Sequence, residues 1–546
     1  MIKNFVCFHT GILLVSIVAL SVTGCGLKQW KANGFKVGPN YCKPVAEVAP
    51  DWIDATDERI STGPTDASYW WLIFDDPILD ALVMEAYDQN LTLREAGMRV
   101  LEAQARRGVT AGNLFPQIQS LDGDYSRSLL SINTANTPST INRSFDNWAT
   151  SGGLLWELDF WGRFRRAIEA ADANLDASVE SYDDVLTSLI AEVAATYVNV
   201  RTLQQRLKYA NANVKIQEGS LKIAEAQALG GAVSMVDVRQ AELNLANTRS
   251  LIPQFSAALR QQTNLLCFLL GRPPEDLMEK LGEGPIPTAP AEVAIGIPGE
   301  LLRRRPDIRR AERLVAAQSA QVGIAMSDLY PHFAIAGQIG YQSQSLTNQF
   351  SSNSNFGIIA PSFSWDVLNY GRFRNNIAAQ EAAFQALAIK YQNIVLKANR
   401  EVEDSITSFL NAQEETQYLG DAVTAAVNGV DLVTTQYEGG AINFNTVFNL
   451  QFSQVAQQDA YATSQGNIAL RLIRLYKSLG GGWQIRCEGN TFVPAEMNEQ
   501  IPPAPAELPQ EIESLDLPEA DENSVIKSAS ETIRSLPTID QDGAGL

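Results

Sequence analysis

The side chains most often used for chemistry are scarce in this sequence of 546 residues. It has two histidines, His9 and His332, and five cysteines. His332 stands beside Pro331 with no metal-ligand spacing around it, and neither a phosphate loop nor a nucleophile elbow occurs. It reads as an interfacial strand residue. The run Arg303-Arg304-Arg305 suggests anion binding at first sight, but its place before a helix reads as a surface patch at a helix entry. No cofactor and no metal are implied, and nothing points to an enzyme. Among the cysteines, Cys7 lies in the leader and Cys267 sits within Leu265-Leu266-Cys267-Phe268-Leu269-Leu270, a core-packing context. That leaves Cys25, Cys42 and Cys487.

Cys25 has the most specific chemistry. A mostly apolar run, Ile12–Val22, follows a short amino terminus whose one basic side chain is Lys3. This is too short to span a bilayer as a helix and has the size of a signal-peptide core. It ends in Val22-Thr23-Gly24-Cys25, the pattern of a bacterial lipobox, in which the cysteine thiol is diacylated and becomes the mature amino terminus. The alternative is a plain secretory signal with an incidental cysteine. Gly26, rather than aspartate, follows, as in lipoproteins sent on to the outer membrane. In such an exported chain Cys42 and Cys487, both in polar segments, form the one plausible disulfide pair, closing a loop of more than 400 residues.

The elements that must position these residues come in two copies. Trp156-Glu157-Leu158-Asp159-Phe160-Trp161-Gly162-Arg163 returns 209 residues later as Trp365-Asp366-Val367-Leu368-Asn369-Tyr370-Gly371-Arg372. At the same offset Gly230-Gly231 becomes Gly439-Gly440, and Leu270-Gly271 becomes Leu479-Gly480. Upstream the offset is 215, matching Phe115-Pro116 to Tyr330-Pro331 and Asn90 to Arg305. A tandem duplication of a unit of roughly 200 residues follows. The net charge of −20 is uneven: residues 484–546 hold thirteen acidic and three basic side chains, so they carry −10 of it. With seven prolines and one aromatic, Phe492, most of this segment is expected to be disordered. A chain this acidic argues against nucleic acid as a partner.

Each unit reads helix, strand, strand, long helix, helix. Phe333, Ile335, Ile339 and Tyr341 alternate with Ala334, Ala336, Gln338, Gly340 and Gln342, the clearest strand in the chain. Ile359, Phe363, Trp365 and Val367 share one parity, as do Trp148, Leu154, Trp156 and Leu158, whereas the stretch from Ile118 to Arg127 is poorly patterned. Such alternation also fits an antiparallel sheet on a soluble core. Strand lengths near ten residues and aromatics near strand ends favour a membrane. Four strands close no useful barrel and an open edge is not tolerated in lipid, so several chains must share one. Arg163 to about Leu229 holds no proline and one interior glycine, Gly219; Arg372 to Glu438 matches it, with glycines only at 420 and 429. Such runs extend roughly 100 Å. Leu186, Leu189, Val193, Thr196, Val200, Leu203, Leu207, Ala210 and Val214 form a heptad seam, matched by Val395, Ala398, Val402, Ser405, Phe409, Ala412, Thr416, Leu419 and Val423. The chain reverses at Gly230-Gly231 and Gly439-Gly440, where paired glycines accept positive φ, and a helix of about 37 residues returns.

These residues resemble an outer-membrane efflux channel of the TolC superfamily, and more closely its NodT-type lipoprotein branch serving RND pumps. The matching motifs are Val37-Gly38-Pro39-Asn40-Tyr41, Trp70-Trp71, Asp75-Asp76-Pro77, and Pro298-Gly299-Glu300-Leu301-Leu302-Arg303-Arg304-Arg305-Pro306-Asp307-Ile308. The resemblance covers about residues 22 to 483. It implies a mostly α-helical chain with a β-barrel contribution, lipid-anchored in the outer membrane with a large periplasmic portion. As a homotrimer it would share one twelve-stranded barrel and a long periplasmic α-helical tunnel, closed at its far end by inner hairpins. The implied partners are a periplasmic adaptor and an inner-membrane RND transporter, with small molecules such as drugs passing through. The expected divisions are 1–24 signal peptide, 25–78 lipid-anchored segment, 79–283 and 299–483 the two repeats, and 484–546 the acidic tail. The family gates at the far turn of the second copy, where Tyr437, Gly439, Gly440, Phe444, Val447 and Gln451 stand. Two positions that commonly carry aspartate rings are here Thr446 and Asn449, while Asp237 takes the equivalent of Thr446 in the first copy. The resemblance also runs the amino-terminal segment along the outside of the tunnel, near Cys487. A type I protein-secretion channel and a structural coiled-coil lipoprotein are the competing readings.

Overall fold

The computed structural model describes residues 30–63, 67–131, 133 and 142–487. Cys25, the leader and residues 488–546 lie outside them. Pro77–Gln89 (α1) and Leu91–Gly112 (α2) precede strands Ile118–Leu129 (β2) and Ser144–Leu158 (β3). The 67-residue helix Arg163–Leu229 (α3) and the return helix Met235–Leu269 (α4) follow. The second copy repeats the order with Pro306–Ser327 (α5), His332–Ser343 (β5), Asn355–Ser364 (β6), the 67-residue Arg372–Glu438 (α6) and Phe444–Ser478 (α7). A small parallel pair, Ile60–Ser61 (β1) with Val293–Ala294 (β4), ties the amino-terminal segment to the linker between the copies.

The duplication extends to individual hydrogen bonds. Trp156 Nε1 donates to the Leu114 carbonyl at 3.2 Å, and Trp365 Nε1 to the equivalent Leu329 carbonyl at 3.1 Å. Asn90 Nδ2 donates to the Leu269 carbonyl at 2.8 Å; its counterpart Arg305 donates from Nη1 to the Ser478 carbonyl at 2.9 Å. Two unlike side chains thus satisfy the same orphan carbonyls at the end of a return helix. Arg305 is therefore not on a surface patch: it is buried and also pairs with Asp307 and Glu401, and of the three arginines only Arg303 is exposed.

The sheet runs β2-β3-β5-β6, antiparallel throughout, with β2 and β6 at its edges. The poorly patterned stretch after Pro116 is a full strand of 12 residues. Paired residues share a face, and one face carries Leu121 and Tyr125, then Leu154 and Trp156, then Ile335 and Ile339, then Ile359 and Phe363. Leu121 is 83% and Ile359 79% exposed, so nothing among the described residues covers this apolar face. The opposite face carries Asp122, Asp124, Ser151, Gln338 and Gln342, with Gln338 donating to Ser151 Oγ at 3.0 Å. No described helix is long and apolar enough to cross a membrane.

The helices form antiparallel hairpins whose main core gathers Leu186, Val193, Tyr197, Leu266, Val402, Phe409 and Leu472, all at or near zero exposure. The seam of α6 keeps its 3,4 steps from Val395 to Tyr437. In α3 the buried set leaves the expected register after Ala210, continuing through Asn213, Gln217, Ser220 and Ala224 instead of Val214. A single three-residue step replaces a four, a local overwinding of the seam.

Residues 30–63 form a strap along the outside. Arg166 holds the Val37 carbonyl from Nε at 3.1 Å and the Gly38 carbonyl from Nη2 at 3.2 Å. Tyr41 and Lys43 reach Glu312 on α5, and Gln392 on α6 donates to the Val45 carbonyl. Farther on, the Ile53 N–H donates to Glu403 and Arg59 to the Leu410 carbonyl. At the other end of the described residues stands the helical turn Trp483–Cys487. The acidic tail therefore cannot begin at residue 484: Ile485 is buried, and Arg486 binds Asp183 from Nε at 2.8 Å and Nη2 at 2.9 Å.

Candidate functional site: the helical tip

The residues expected at a gate gather where the two long helices turn back. Gly230 and Gly439 end their helices in right-handed conformation, and only the second glycine of each pair takes positive φ, 75° at Gly231 and 73° at Gly440. Ala232 and Ala441 then donate to the Gln227 and Gln436 carbonyls, both at 2.9 Å, which closes each turn. Ser234 caps α4 by accepting from the Val236 N–H, and Asn443 caps α7 by accepting from the Thr446 N–H. The first copy's turn leaves Leu229 at 91% exposure.

Behind the turns lies a second, smaller apolar cluster of Ala224, Val238, Ala241, Val433, Tyr437, Phe444 and Val447. It binds the two hairpins at their ends. Tyr437 and Phe444 meet edge-on, centroids 5.3 Å apart, and Gln227 Nε2 donates to the Tyr437 carbonyl at 3.1 Å. Tyr437 is 1% exposed and its hydroxyl has no partner among the described residues. Burial raises its pKa, and the Asp237 carboxylate adds to the rise. Thr446 and Asn449 lie outside this cluster and are exposed; Asp237 is half-buried. No acidic residue stands between Glu438 and Asp459, so the second copy's turn is free of carboxylates over that span.

Other expected site residues lie elsewhere. Cys42 and Cys487 are both free and exposed, so the expected disulfide is absent. Each belongs to a segment tied to a different partner: the strap around Cys42 to Glu312 of α5, and the turn ending at Cys487 to Asp183 of α3. Cys267 is buried, as its apolar context requires. His332 Nδ1 lies 2.9 Å from Glu157 Oε1 at the base of the sheet, and Glu157 also pairs with Arg163.

Sequence reasoning missed the mooring of the strap. Trp30 stacks on Phe160 at 5.3 Å and touches Phe35 and Trp161. Arg165 donates to the carbonyls of Gly34 at 2.8 Å and Phe35 at 2.9 Å. The chain five residues after Cys25 is thereby fixed beside the ends of β3 and β5. Backbone carbonyls as partners leave no pattern in a sequence; only the density of aromatic and basic residues around 160–166 hinted at it.

Comparison with known proteins agrees with this geometry. The family described as outer membrane efflux protein matches residues 82–272 and 297–481. Nodulation protein T of Rhizobium leguminosarum bv. trifolii is 27% identical over 452 residues, 83% of this chain and 95% of that protein. Pyoverdine export outer membrane protein OpmQ of Pseudomonas putida is 29% identical, over 81% of this chain and 94% of its own. Cation efflux system protein CusC of Escherichia coli is 26% identical, over 86% and 99%. Among solved structures, the outer-membrane channel OprN superposes with a TM-score of 0.77 at 30% identity, covering 82% of this chain and 99% of its own.

Proposed function

The chain belongs to the outer membrane efflux protein family, and from that membership we propose how its parts divide the work of an exit duct. It is the outer-membrane channel of a tripartite efflux system, a passive conduit in which three copies share one barrel and one helical tunnel. The observation that carries this reading is the sheet: four strands of 10 to 15 residues, an uncovered apolar face, a mostly polar opposite face and two strand edges at β2 and β6. Such edges are not stable in lipid unless a neighbouring copy pairs with them. The exposed Met98, Leu101 and Val109 on α2 and Ile389 and Leu396 on α6 are the proposed faces where copies meet below the membrane. A periplasmic adaptor and an inner-membrane RND transporter supply the energy and choose the cargo, which we take to be small toxic molecules. The relatives' names, one for pyoverdine export and one for cation efflux, fit a duct that leaves cargo selection to its pump.

Purified protein should run as a heat-modifiable trimer and conduct ions in planar bilayers. A monomer of 59.7 kDa in mild detergent would sink the shared barrel. The tip is the proposed gate, with Asp237, Tyr437, Gly439, Gly440, Thr446 and Asn449 around its constriction and Gly230 and Gly231 reversing the outer hairpin. Thr446→Asp and Asn449→Asp should each add a ring of three carboxylates, raising cation selectivity and sensitivity to block by multivalent cations. If single-channel recordings of both variants match the wild type, these positions do not line the aperture.

We further propose that Cys25 carries the lipid anchor. The position of Trp30 supports this, since its ring packs on Phe160 and Trp161 at the base of the sheet, five residues after Cys25. A fatty-acid analogue should label the wild type and not Cys25→Ser. An unlabelled wild type ends the lipoprotein assignment.

A further inference from the structure

The interior of the helical part is apolar at both ends and amide-rich between. Val200, Leu266 and Ala469 belong to the main core, and Ala224, Val238 and Val447 to the tip cluster. The seam that joins them buries Asn213, Gln217 and Ser220 on α3, Asn244 on α4, and Gln451 and Gln458 on α7. Asn213 Nδ2 donates to Gln458 Oε1 at 2.7 Å, Gln451 Nε2 to Ser220 Oγ at 2.7 Å, and Asn244 Nδ2 to Gln451 Oε1 at 3.1 Å. All three bonds cross from the first hairpin to the second. Gln217 is 2% exposed, and neither of its amide atoms has a partner among the described residues.

A heptad seam gains most from apolar layers, and a buried polar layer fixes register at a cost in stability. Each primary amide carries both donors and an acceptor, so it can leave one partner and satisfy another after a small displacement. Packed leucines cannot do this without opening a cavity. We propose that this amide layer is the joint on which the second hairpin shifts against the first, so that the tip parts while the main core stays closed. The orphaned amide of Gln217 is the unmatched position such a joint needs, a partner for an arrangement other than the present one. The proposal rests on the reading of the tip as the gate, and its test separates the two.

The test uses the full trimer with two variants. Gln217→Leu breaks no hydrogen bond seen here, and Asn213→Leu/Gln458→Leu replaces both members of one pair. Both should slow amide hydrogen exchange in residues 204–229 and 444–460 at least tenfold without lowering the trimer's melting temperature. Channel openings in planar bilayers should fall at least tenfold. Slowed exchange with unchanged openings would keep the joint and refute the tip as the conductance gate. Unchanged exchange in folded Gln217→Leu trimers overturns the joint, and this single variant decides the matter if the double one fails to assemble.

Discussion

Asp183→Ala is expected to be the most damaging single truncation in the helical part. Asp183 has no exposed surface, and its carboxylate accepts from Arg486 Nε at 2.8 Å and from Arg309 Nη2 at 3.1 Å. Arg309 also binds Glu180 from Nε at 2.6 Å and lies 4.1 Å from the centroid of Trp483. The cluster thus joins α3, α5 and the helical turn Trp483–Cys487. Removing one member of a buried ion pair costs about 3–5 kcal/mol, because the remaining charges keep their desolvation penalty and lose their partner. Here two guanidiniums are left, of which Arg486 has no other ion pair among the described residues. A clear fall in the melting temperature of the detergent-solubilised trimer should accompany early proteolysis near Trp483. Asp183→Asn, which keeps shape and one acceptor, should lie between. A melting temperature equal to that of the wild type in Asp183→Ala would show that the cluster holds nothing together.

Gly271→Ala should fail almost as badly. Gly271 has φ of +70°, and a Cβ there would overlap the carbonyl oxygen of Gln89, a backbone atom that cannot rotate away. The left-handed conformation costs about 1–2 kcal/mol for an L-residue and overpacking about 1–3 kcal/mol more. The duplicate position repeats the constraint: at Gly480, with φ of +75°, a Cβ would stand 2.9 Å from the Cα of Arg305. Gly219→Ala is the control, since it lies inside α3 with nothing within 4 Å of the added carbon, and it should be neutral or slightly stabilising. The yield of heat-resistant trimer from cells reads out all three. Normal yield of Gly271→Ala would mean that the close approach of Gln89 is not required for folding.

The long helices were legible because their apolar residues keep a 3.5-residue period and no proline interrupts them; both bounds fall where the glycines stand. The register change after Ala210 was not legible. Apolar periodicity points to Val214, but burial follows Asn213 and Gln217, which a hydrophobic pattern counts as surface. For the same reason β2 was obscure: Asp122 and Asp124 lie on the polar face of the sheet, and Arg127 interrupts the apolar face, so no clean alternation survives. Arg305 was misread because a charged run looks solvent-exposed until its partners, Asp307 and Glu401, are brought together by the fold. The strap has no period to read. At the tip, the glycine pairs and the missing aspartates were plain in the sequence, whereas the burial of Tyr437 depends on both hairpins meeting.

The mooring of Trp30 has a consequence for delivery to the membrane. Only five peptide steps separate it from Cys25, and an extended chain of that length reaches at most about 18 Å. Were Cys25 acylated as proposed, its acyl chains would have to enter the leaflet within that reach of Trp30, which packs on Phe160 and Trp161. So short a tether works as a plumb line. With Cys25 acylated as proposed, it would decide which rim of the sheet stays behind when the strands cross the bilayer, and would give insertion a direction before three copies have met.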